Sequence, residues 1–259
     1  MKVMKSHKAA WGIIAALLFY IIFYPISAWI NNNFDGAQGS MIKALQRMVF
    51  FIAELIFFVK LYKKDSIRSV LTVAQFRKAL PAYVGMLVYV AFYVVAYAVI
   101  GAKSWLNTTV PIVVSYLLFV QLSTGLWEEM TFRAFVCEGY YQGEDSTFRR
   151  RLIYACISAV IFGILHALEC DSSEQAIYRF IITGVWGFSF ASVYFYSHNL
   201  LAAAYIHFFT DIFLNISVFI KEWNESMLFM ILDNYVQWVM LAVIFIVAVV
   251  FLRKEPLRG

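Results

Sequence analysis

Charged residues are scarce in this chain of 259 residues, of which only 14% are charged and 63% are hydrophobic. Soluble domains have about 25% charged and about 45–50% apolar residues. Together with a mean hydropathy of +0.74, this scarcity excludes a soluble globular protein. The net charge of +5 comes from Lys and Arg that are concentrated in a few loops. It therefore indicates orientation in a membrane and does not indicate nucleic-acid binding.

The chain also has few cysteines and lacks several common catalytic sequence motifs. Cys137, Cys156 and Cys170 are too few and too widely spaced for a disulfide framework or a cysteine-based zinc site. The chain has no Walker loop, HExxH, GxSxG or CxxC motif. These absences argue against nucleotide hydrolysis, a soluble zinc protease, a serine hydrolase and a thiol redox enzyme.

Long apolar runs occupy most of the remaining sequence. A transmembrane helix needs about 20 mostly apolar residues, and eight segments approach this length. We therefore predict an all-α polytopic membrane protein, with one integral-membrane domain over residues 1–259 and its motifs at about 110–220. No internal repeat is visible. The predicted helices are Ala9–Trp29, Met41–Tyr62, Leu80–Ile100, Val110–Val136, Leu152–Leu168, Ala176–Tyr196, Leu200–Ile220 and Asn234–Leu252.

Basic residues are distributed unevenly between the predicted loops, and they accumulate on the cytoplasmic side of membrane proteins. The loops on one side have only Lys103 and Lys221, with Arg179 near a helix end. We therefore predict a multi-pass protein of the cell membrane whose N- and C-termini are cytoplasmic. The basic residues on the predicted cytoplasmic side are Lys2, Lys5, Lys8, Lys63, Lys64, Arg68, Arg77, Lys78, Arg149, Arg150, Arg151, Arg253, Lys254 and Arg258.

Two adjacent acids, Glu128 and Glu129, interrupt the fourth predicted helix, and Arg133 follows them. Each charge near the centre of a bilayer costs about 2.5–3.5 kcal/mol on insertion scales. Glu129 and Arg133 are four residues apart and share a helix face, so we predict an ion pair between them. Glu128 is rotated by about 100° from Glu129 and must face a different neighbour.

Two of the four histidines also lie inside apolar helices. His166 lies near the end of the fifth predicted helix, four residues after Phe162, and His207 lies in the seventh with Asp211 one turn later. Ionisable residues within membranes usually face a polar interior. We therefore expect Glu128, His166, His207 and Asp211 to meet in one hydrated pocket beneath the surface of the inner leaflet. Such groups can activate water by general-base catalysis, or they can hold zinc with one position open for water.

Two other polar residues, Glu54 and His198, have no evident catalytic role in the sequence. Glu54 lies in the middle of the second helix, where we expect it to pair with Arg47, Lys60 or Arg133. His198 lies in the short turn before the seventh helix, where we expect it to be solvated or interfacial.

Three short motifs occur in order along the chain, and all three lie in predicted helices. They are a glutamate pair with an arginine, a phenylalanine with a histidine one turn on, and a histidine with an aspartate one turn on. Together they resemble the CPBP family of intramembrane proteases, which includes CAAX prenyl endopeptidases and bacterial bacteriocin-processing or self-immunity proteins. The resemblance covers about Gly125–Ile216. The motif residues are Glu128, Glu129, Arg133, Phe162, His166, His207 and Asp211.

The resemblance implies hydrolysis of peptide bonds within or near the membrane. Glu128 would activate the attacking water, assisted by His166. His207 and Asp211 would stabilise the oxyanion or share in metal binding. An aspartate in place of the asparagine of the prenyl proteases is better suited to orienting His207 or binding a metal than to donating to an oxyanion.

The resemblance also implies supporting roles and a possible cofactor. Glu129 and Arg133 would form the supporting pair, and Phe162 would pack beneath the catalytic groups. A zinc ion bound by His166, His207, Glu128 and Asp211, and a metal-free mechanism that depends on glutamate, both stay open. The expected partners are the lipid bilayer and a membrane-embedded peptide or protein substrate, without nucleic acid.

Two other classes of function are compatible with this composition. A non-catalytic bacteriocin immunity or scaffold protein would retain the helices without the chemistry. A proton-coupled transporter would use buried Glu, His and Arg as a proton relay, but the inverted repeats of many transporters are not visible here.

Overall fold

The computed structural model describes residues 2–62, 70–72, 76–100, 109–141, 147–219, 231 and 235–256. Within these residues the chain is helical and contains no strand, which confirms the predicted all-α class. Each predicted helix is present, although the predicted ends Ile220 and Asn234 lie outside the described residues. The helices are α1 (Lys2–Asn33), α2 (Gly36–Tyr62), α3 (Phe76–Ala79, the 3₁₀ turn Leu80–Tyr83 and Val84–Ile100), α4 (Val110–Tyr141), α5 (Phe148–Ala167), α6 (Ser173–Ser197), α7 (Leu200–Asn215) and α8 (Gln237–Arg253).

The lengths and composition of these helices fit a multi-pass membrane protein. Among the described residues, α1, α3, α4, α5 and α6 are long and apolar enough to cross a membrane, and α7 and α8 are shorter apolar helices. The 27 residues of α2 include Lys43, Arg47, Glu54 and Lys60, and these four charges lower its hydropathy. Many large apolar side chains are exposed on the outside of the bundle, as expected for a surface in contact with lipid.

Side-chain caps determine where three of the helices begin. The hydroxyl of Thr147 accepts a hydrogen bond from the backbone N–H of Arg150 at the start of α5. Ser172 does the same for Gln175 at the start of α6, and the Asn199 side chain caps α7. Because caps satisfy the free N–H groups of a first turn, α5 and α6 begin three to four residues before the predicted ends, at Phe148 and Ser173.

Helix α4 is the centre of the bundle and carries the glutamate pair. Every residue from 127 to 140 is buried. Two π-helical stretches, Ser115–Val120 and Met130–Ala134, flank its segment Gln121–Glu129. Such π-bulges occur frequently at functional sites. The second stretch includes Arg133, so α4 is wider at the position of the motif arginine.

Glycines allow α4 and α6 to approach their neighbours closely. A Cβ on Gly125 of α4 would lie 2.9 Å from the carbonyl oxygen of Ala204 in α7. A Cβ on Gly187 of α6 would lie 3.0 Å from the Phe162 ring in α5. The Gly125 contact places the glutamate pair against the helix that carries His207.

The turn between α6 and α7 is held by a cluster around the buried carboxylate of Glu138. His198 has a positive φ of 46°, and its Nε2 lies 2.9 Å from Oε2 of Glu138. The Tyr141 ring stacks on the imidazole at 3.5 Å, and the Tyr194 hydroxyl donates to the same Glu138 oxygen at 2.8 Å. The His198 side chain is still 20% exposed, so these contacts add protein partners and the prediction that it is solvated or interfacial stays a prediction.

Candidate active site

The predicted ion pair between Glu129 and Arg133 is present in the buried interior. Arg133 Nη1 lies 3.2 Å from Glu129 Oε1, and both side chains are completely buried. Arg133 Nη2 donates to the carbonyl of Gly187 at 3.2 Å. The guanidinium carbon lies 4.5 Å from the centre of the Phe162 ring and 5.3 Å from that of Phe190. Arg133 therefore compensates the buried carboxylate and ties α4 to α6.

His207 lies between the two members of the glutamate pair. Its Nδ1 is 2.8 Å from Oε1 of Glu129, while its Nε2 is 3.7 Å from Oε2 of Glu128 and 3.4 Å from Oδ2 of Asp211. Phe190 stacks on the ring at 4.4 Å, which holds its plane. Both ring nitrogens face carboxylate oxygens, so the imidazole is arranged as a donor on both sides.

His166 is oriented by the helix that carries it. Its Nδ1 lies 2.9 Å from the carbonyl oxygen of Phe162, and its ring packs at 4.3 Å against the Phe162 ring. Because a carbonyl only accepts hydrogen bonds, Nδ1 carries the hydrogen. In the neutral ring, Nε2 therefore has a free lone pair that can accept a proton or hydrogen bond.

One cavity brings the four predicted catalytic residues together. Glu128, His166, His207 and Asp211 all line it, and its volume is about 540 Å³, within the range of about 300–1,000 Å³ that is usual for ligand sites. Glu129, by contrast, is fully buried behind it. The two adjacent acids thus face different surroundings, as the helical rotation predicted. Other polar lining residues are Asn31, Lys43, Arg47, Tyr116, Glu169 and Arg179.

The cavity extends towards one end of the bundle. Asn31 lies at the last turns of α1 and Lys43 near the start of α2, while Glu169 follows α5 and Arg179 lies in the second turn of α6. These helix ends are opposite to those that join the strongly basic segments. If the basic segments are cytoplasmic, as predicted, the cavity opens on the other side. The predicted cytoplasmic side of the basic segments and the predicted position of the pocket beneath the inner leaflet therefore cannot both hold.

The described side chains do not form a metal site as they are placed. Among the described residues, no group of three or more His, Cys, Asp and Glu is arranged to hold a metal ion. A histidine ligand needs a free lone pair, but both nitrogens of His207 face carboxylates at 2.8–3.7 Å. His166, His207, Glu128 and Asp211, which the sequence analysis named as zinc ligands, line one cavity, and zinc binding by them stays a prediction.

Glu54 has a structural environment and does not line the cavity. It is completely buried, and its Oε1 accepts hydrogen bonds from Trp127 Nε1 at 3.2 Å and Thr131 Oγ1 at 2.8 Å. Within the described part of the chain it forms no ion pair. The predicted pairing of Glu54 with Arg47, Lys60 or Arg133 is therefore wrong. The Glu54 carboxyl group is instead hydrogen-bonded by two neutral donors of α4.

Two residues of the site escaped the sequence analysis. Phe190, which stacks on His207, belongs to a chain with 25 phenylalanines, and nothing in its local pattern distinguishes it. Arg47, which lines the cavity, was considered only as a partner of Glu54. Its position as a cation inside an apolar helix was a sufficient signal for function.

Comparison with known proteins supports the motif assignment. Residues 109–213 match the family model described as type II CAAX prenyl endopeptidase Rce1-like. The matched segment contains the complete motif set and all four cavity residues predicted to be catalytic. No curated protein and no solved structure matches the chain. Over residues 109–213 the chain is therefore similar to the Rce1-like CAAX prenyl endopeptidases, a family of intramembrane proteases, as its motifs predicted.

Proposed function

We propose that this protein is an intramembrane endopeptidase that hydrolyses peptide bonds of membrane-associated peptides or proteins, with Glu128 as the general base. The observation that carries the proposal is that Glu128, His166, His207 and Asp211 line one cavity. Family similarity over residues 109–213 supports the reaction class. The cavity would hold both the attacking water and the scissile bond.

Glu128 and His166 form the water-activating side of the proposed mechanism. The Glu128 carboxylate takes a proton from water as the oxygen attacks the carbonyl carbon. The free Nε2 lone pair of His166 can accept a hydrogen bond from the same water and orient it. The proton held by Glu128 then passes to the departing amine.

His207 and Asp211 form the side that stabilises the oxyanion. The Nδ1 contact with Glu129 at 2.8 Å fixes the ring, and Nε2 points to the space between Glu128 and Asp211. A hydrogen on Nε2 can donate to the oxygen on which negative charge develops. Asp211, 3.4 Å from Nε2, orients this donor, and it does not itself donate to the oxyanion.

Zinc remains a separate prediction, and the proposed steps do not pass through it. If zinc were bound by these residues, it would polarise the carbonyl and lower the pKa of bound water. The test is to measure zinc in the purified protein and to assay cleavage after chelation. Activity that survives complete removal of metal supports the glutamate route. Activity that is lost and then restored by zinc supports the metal route.

The central experiment compares new peptide termini in membranes that contain wild-type protein, Glu128→Gln, His207→Ala or the control Glu174→Gln. Glu174 is an exposed acid in the first turn of α6, outside the cavity. We expect both cavity variants to lose at least about 100-fold in cleavage rate, while the control cleaves normally. Normal cleavage by both cavity variants would contradict the proposal.

The two alternative functions make a different prediction in the same experiment. A non-catalytic immunity or scaffold protein, or a proton-coupled transporter, produces no new termini even as wild type. No described feature favours either alternative over hydrolysis.

A further inference from the structure

Tyr20 on α1 is buried against the end of α5 that carries His166. Its hydroxyl oxygen lies 3.3 Å from the carbonyl oxygen of Leu165 and 3.0 Å from Oε1 of Glu169. Leu165 directly precedes His166, and Glu169 follows it by three residues. One phenol from a helix distant in sequence therefore contacts the chain on both sides of a proposed catalytic residue.

The last turn of α5 leaves the carbonyl of Leu165 without its usual helical donor. In a continued α-helix the N–H of Glu169 would bond to that carbonyl. Because α5 ends at Ala167, this N–H bonds instead to the carbonyl of His166 at 3.3 Å. Carbonyls that are freed at a helix end need a donor from a side chain or water. The Tyr20 hydroxyl supplies such a donor.

The carboxylate of Glu169 is the second acceptor of the Tyr20 hydroxyl. Glu169 lines the cavity together with His166, whereas Tyr20 does not line it. The hydroxyl has a single hydrogen, which it shares between the two acceptors, and such three-centre bonds are common at helix ends. The last turn of α5 and the Glu169 side chain are thus fixed to the same point on α1.

Aromatic packing holds Tyr20 in this position and links α1 to the other side of the site. The Tyr20 ring lies 6.3 Å from the Trp127 ring, at an angle of 15° between their planes. Phe23, also on α1, stacks on Trp127 at 3.7 Å. Trp127 directly precedes Glu128. Helix α1 therefore supports the backbone next to Glu128 as well as the turn that carries His166.

We propose that Tyr20 is a positioning residue for His166, through which α1 completes the active site. This inference rests on the proposed function, and it adds a residue from outside the segment 109–213 that matches the family model. The His166 ring presents its Nε2 lone pair to the cavity only while its Nδ1 hydrogen stays on the Phe162 carbonyl, 2.9 Å away. Tyr20 fixes the turn that holds this geometry, and it touches neither water nor substrate.

The test removes the hydroxyl and keeps the ring. Tyr20→Phe retains the packing against Trp127, so we expect it to fold. Tyr24→Phe is the matched control, because Tyr24 lies one turn further along α1 with an exposed side chain. Full-length wild type and both variants are placed in nanodiscs of phosphatidylcholine, and their melting temperatures are compared.

The direct readout is the tautomer of His166. Histidines are isotope-labelled and observed by solid-state NMR at about pH 8, where an unperturbed imidazole is neutral. The His166 signals are assigned by their loss in His166→Gln. We expect wild type and Tyr24→Phe to show one tautomer with the hydrogen on Nδ1. Tyr20→Phe should show both tautomers, because the loosened turn no longer holds the ring at the Phe162 carbonyl.

Cleavage gives a second readout of the same contact. We expect Tyr20→Phe to lower kcat roughly tenfold, the size of one hydrogen bond. KM should stay unchanged, because Tyr20 does not line the cavity. A hydroxyl with a purely structural role would lower the melting temperature and leave the His166 tautomer as in wild type. That outcome would overturn the positioning role.

The two readouts separate this inference from the proposed function. If Tyr20→Phe mixes the His166 tautomers but the wild type cleaves nothing, the proposed function fails and the positioning contact stands. If the wild type cleaves and folded Tyr20→Phe matches it in kcat and in the His166 spectrum, the positioning role fails and the proposed function stands. Should Tyr20→Phe not fold, wild-type protein still decides, because a mixture of His166 tautomers in it contradicts the inference and a single Nδ1 tautomer supports it.

Discussion

Glu128 and Glu129 are chemically identical neighbours, yet their surroundings give them different tasks. Glu129 is completely buried between Arg133 and His207, with contacts of 3.2 Å and 2.8 Å. Glu128 faces the cavity, and its closest described ionisable neighbour, His207, is 3.7 Å away. Successive residues of a helix are rotated by about 100° around its axis. This rotation along α4 is sufficient to separate a structural acid from a proposed catalytic one.

Removal of the Arg133 charge should destabilise the fold. Arg133→Met leaves Glu129 buried without a cation, and such losses cost about 3–5 kcal/mol. We expect a matching decrease in the free energy of unfolding, measured in detergent by chemical denaturation. The double variant Glu129→Gln with Arg133→Met should recover part of this loss, because it removes both charges. A single variant as stable as wild type would contradict the buried-pair interpretation.

Substitution of Glu54 should separate packing from chemistry. Glu54→Gln retains an acceptor for Trp127 and Thr131, so we expect cleavage close to that of wild type. Glu54→Leu leaves the buried Trp127 N–H without an acceptor and should cost about 1–3 kcal/mol of stability. The comparison uses melting temperature together with the cleavage assay. Loss of cleavage in a stable Glu54→Gln protein would instead indicate a catalytic role for this acid.

At the level of the helices, the site depends on how closely α4 and α7 approach each other. Glu128 and Glu129 belong to α4, whereas His207 and Asp211 belong to α7. The absence of a side chain at Gly125 allows the backbone of α7 to pack against α4 at that level. Helix packing through small residues is typical within membranes, and here it also sets the distance between His207 and the glutamate pair.

Introduction of a methyl group at Gly125 should therefore impair the site. In Gly125→Ala the new Cβ would meet backbone atoms of α7 at 2.9 Å and 3.2 Å, so the helices must move apart. A displacement of about 1 Å can cost about 100-fold in rate, and we expect a loss of that order in kcat. Gly184→Ala is the matched control, because its nearest contact would be an ordinary 3.8 Å. Equal activity of the two variants would argue against this packing role.

At the level of the whole molecule, the predicted orientation determines which side of the membrane supplies the substrate. The strongly basic segments join one set of helix ends, and the cavity is lined near the other set. With cytoplasmic basic loops, substrate would reach Glu128 from the non-cytoplasmic side.

Accessibility of single cysteines tests this orientation. Cys137, Cys156 and Cys170 are first replaced, and one cysteine is then introduced as Asn31→Cys at the cavity or Lys254→Cys after α8. In intact cells, a maleimide that cannot cross the membrane should label Asn31→Cys directly and Lys254→Cys only after permeabilisation. The reverse pattern would place the cavity on the cytoplasmic side.

The sequence by itself determined the class, the helices and the chemical groups. Apolar runs of about 20 residues have few alternatives to membrane helices, and Glu129 and Arg133 met because helical periodicity places residues four apart on one face. Helix ends were less predictable, because caps such as Thr147 and Ser172 extend α5 and α6 beyond their apolar residues. The motif residues could be named because buried charge in an apolar chain is too costly to be incidental.

Only the tertiary structure decided which groups face one another across helices. Contacts such as Glu129 with His207, Phe190 on His207 and Trp127 with Glu54 join residues far apart in the chain, and they depend on the rotation and separation of packed helices. Local periodicity does not encode these quantities. The same is true of the cavity. Its position near the helix ends away from the basic segments, and the presence of Arg47 in its wall, become visible only when α2, α4, α5, α6 and α7 are assembled.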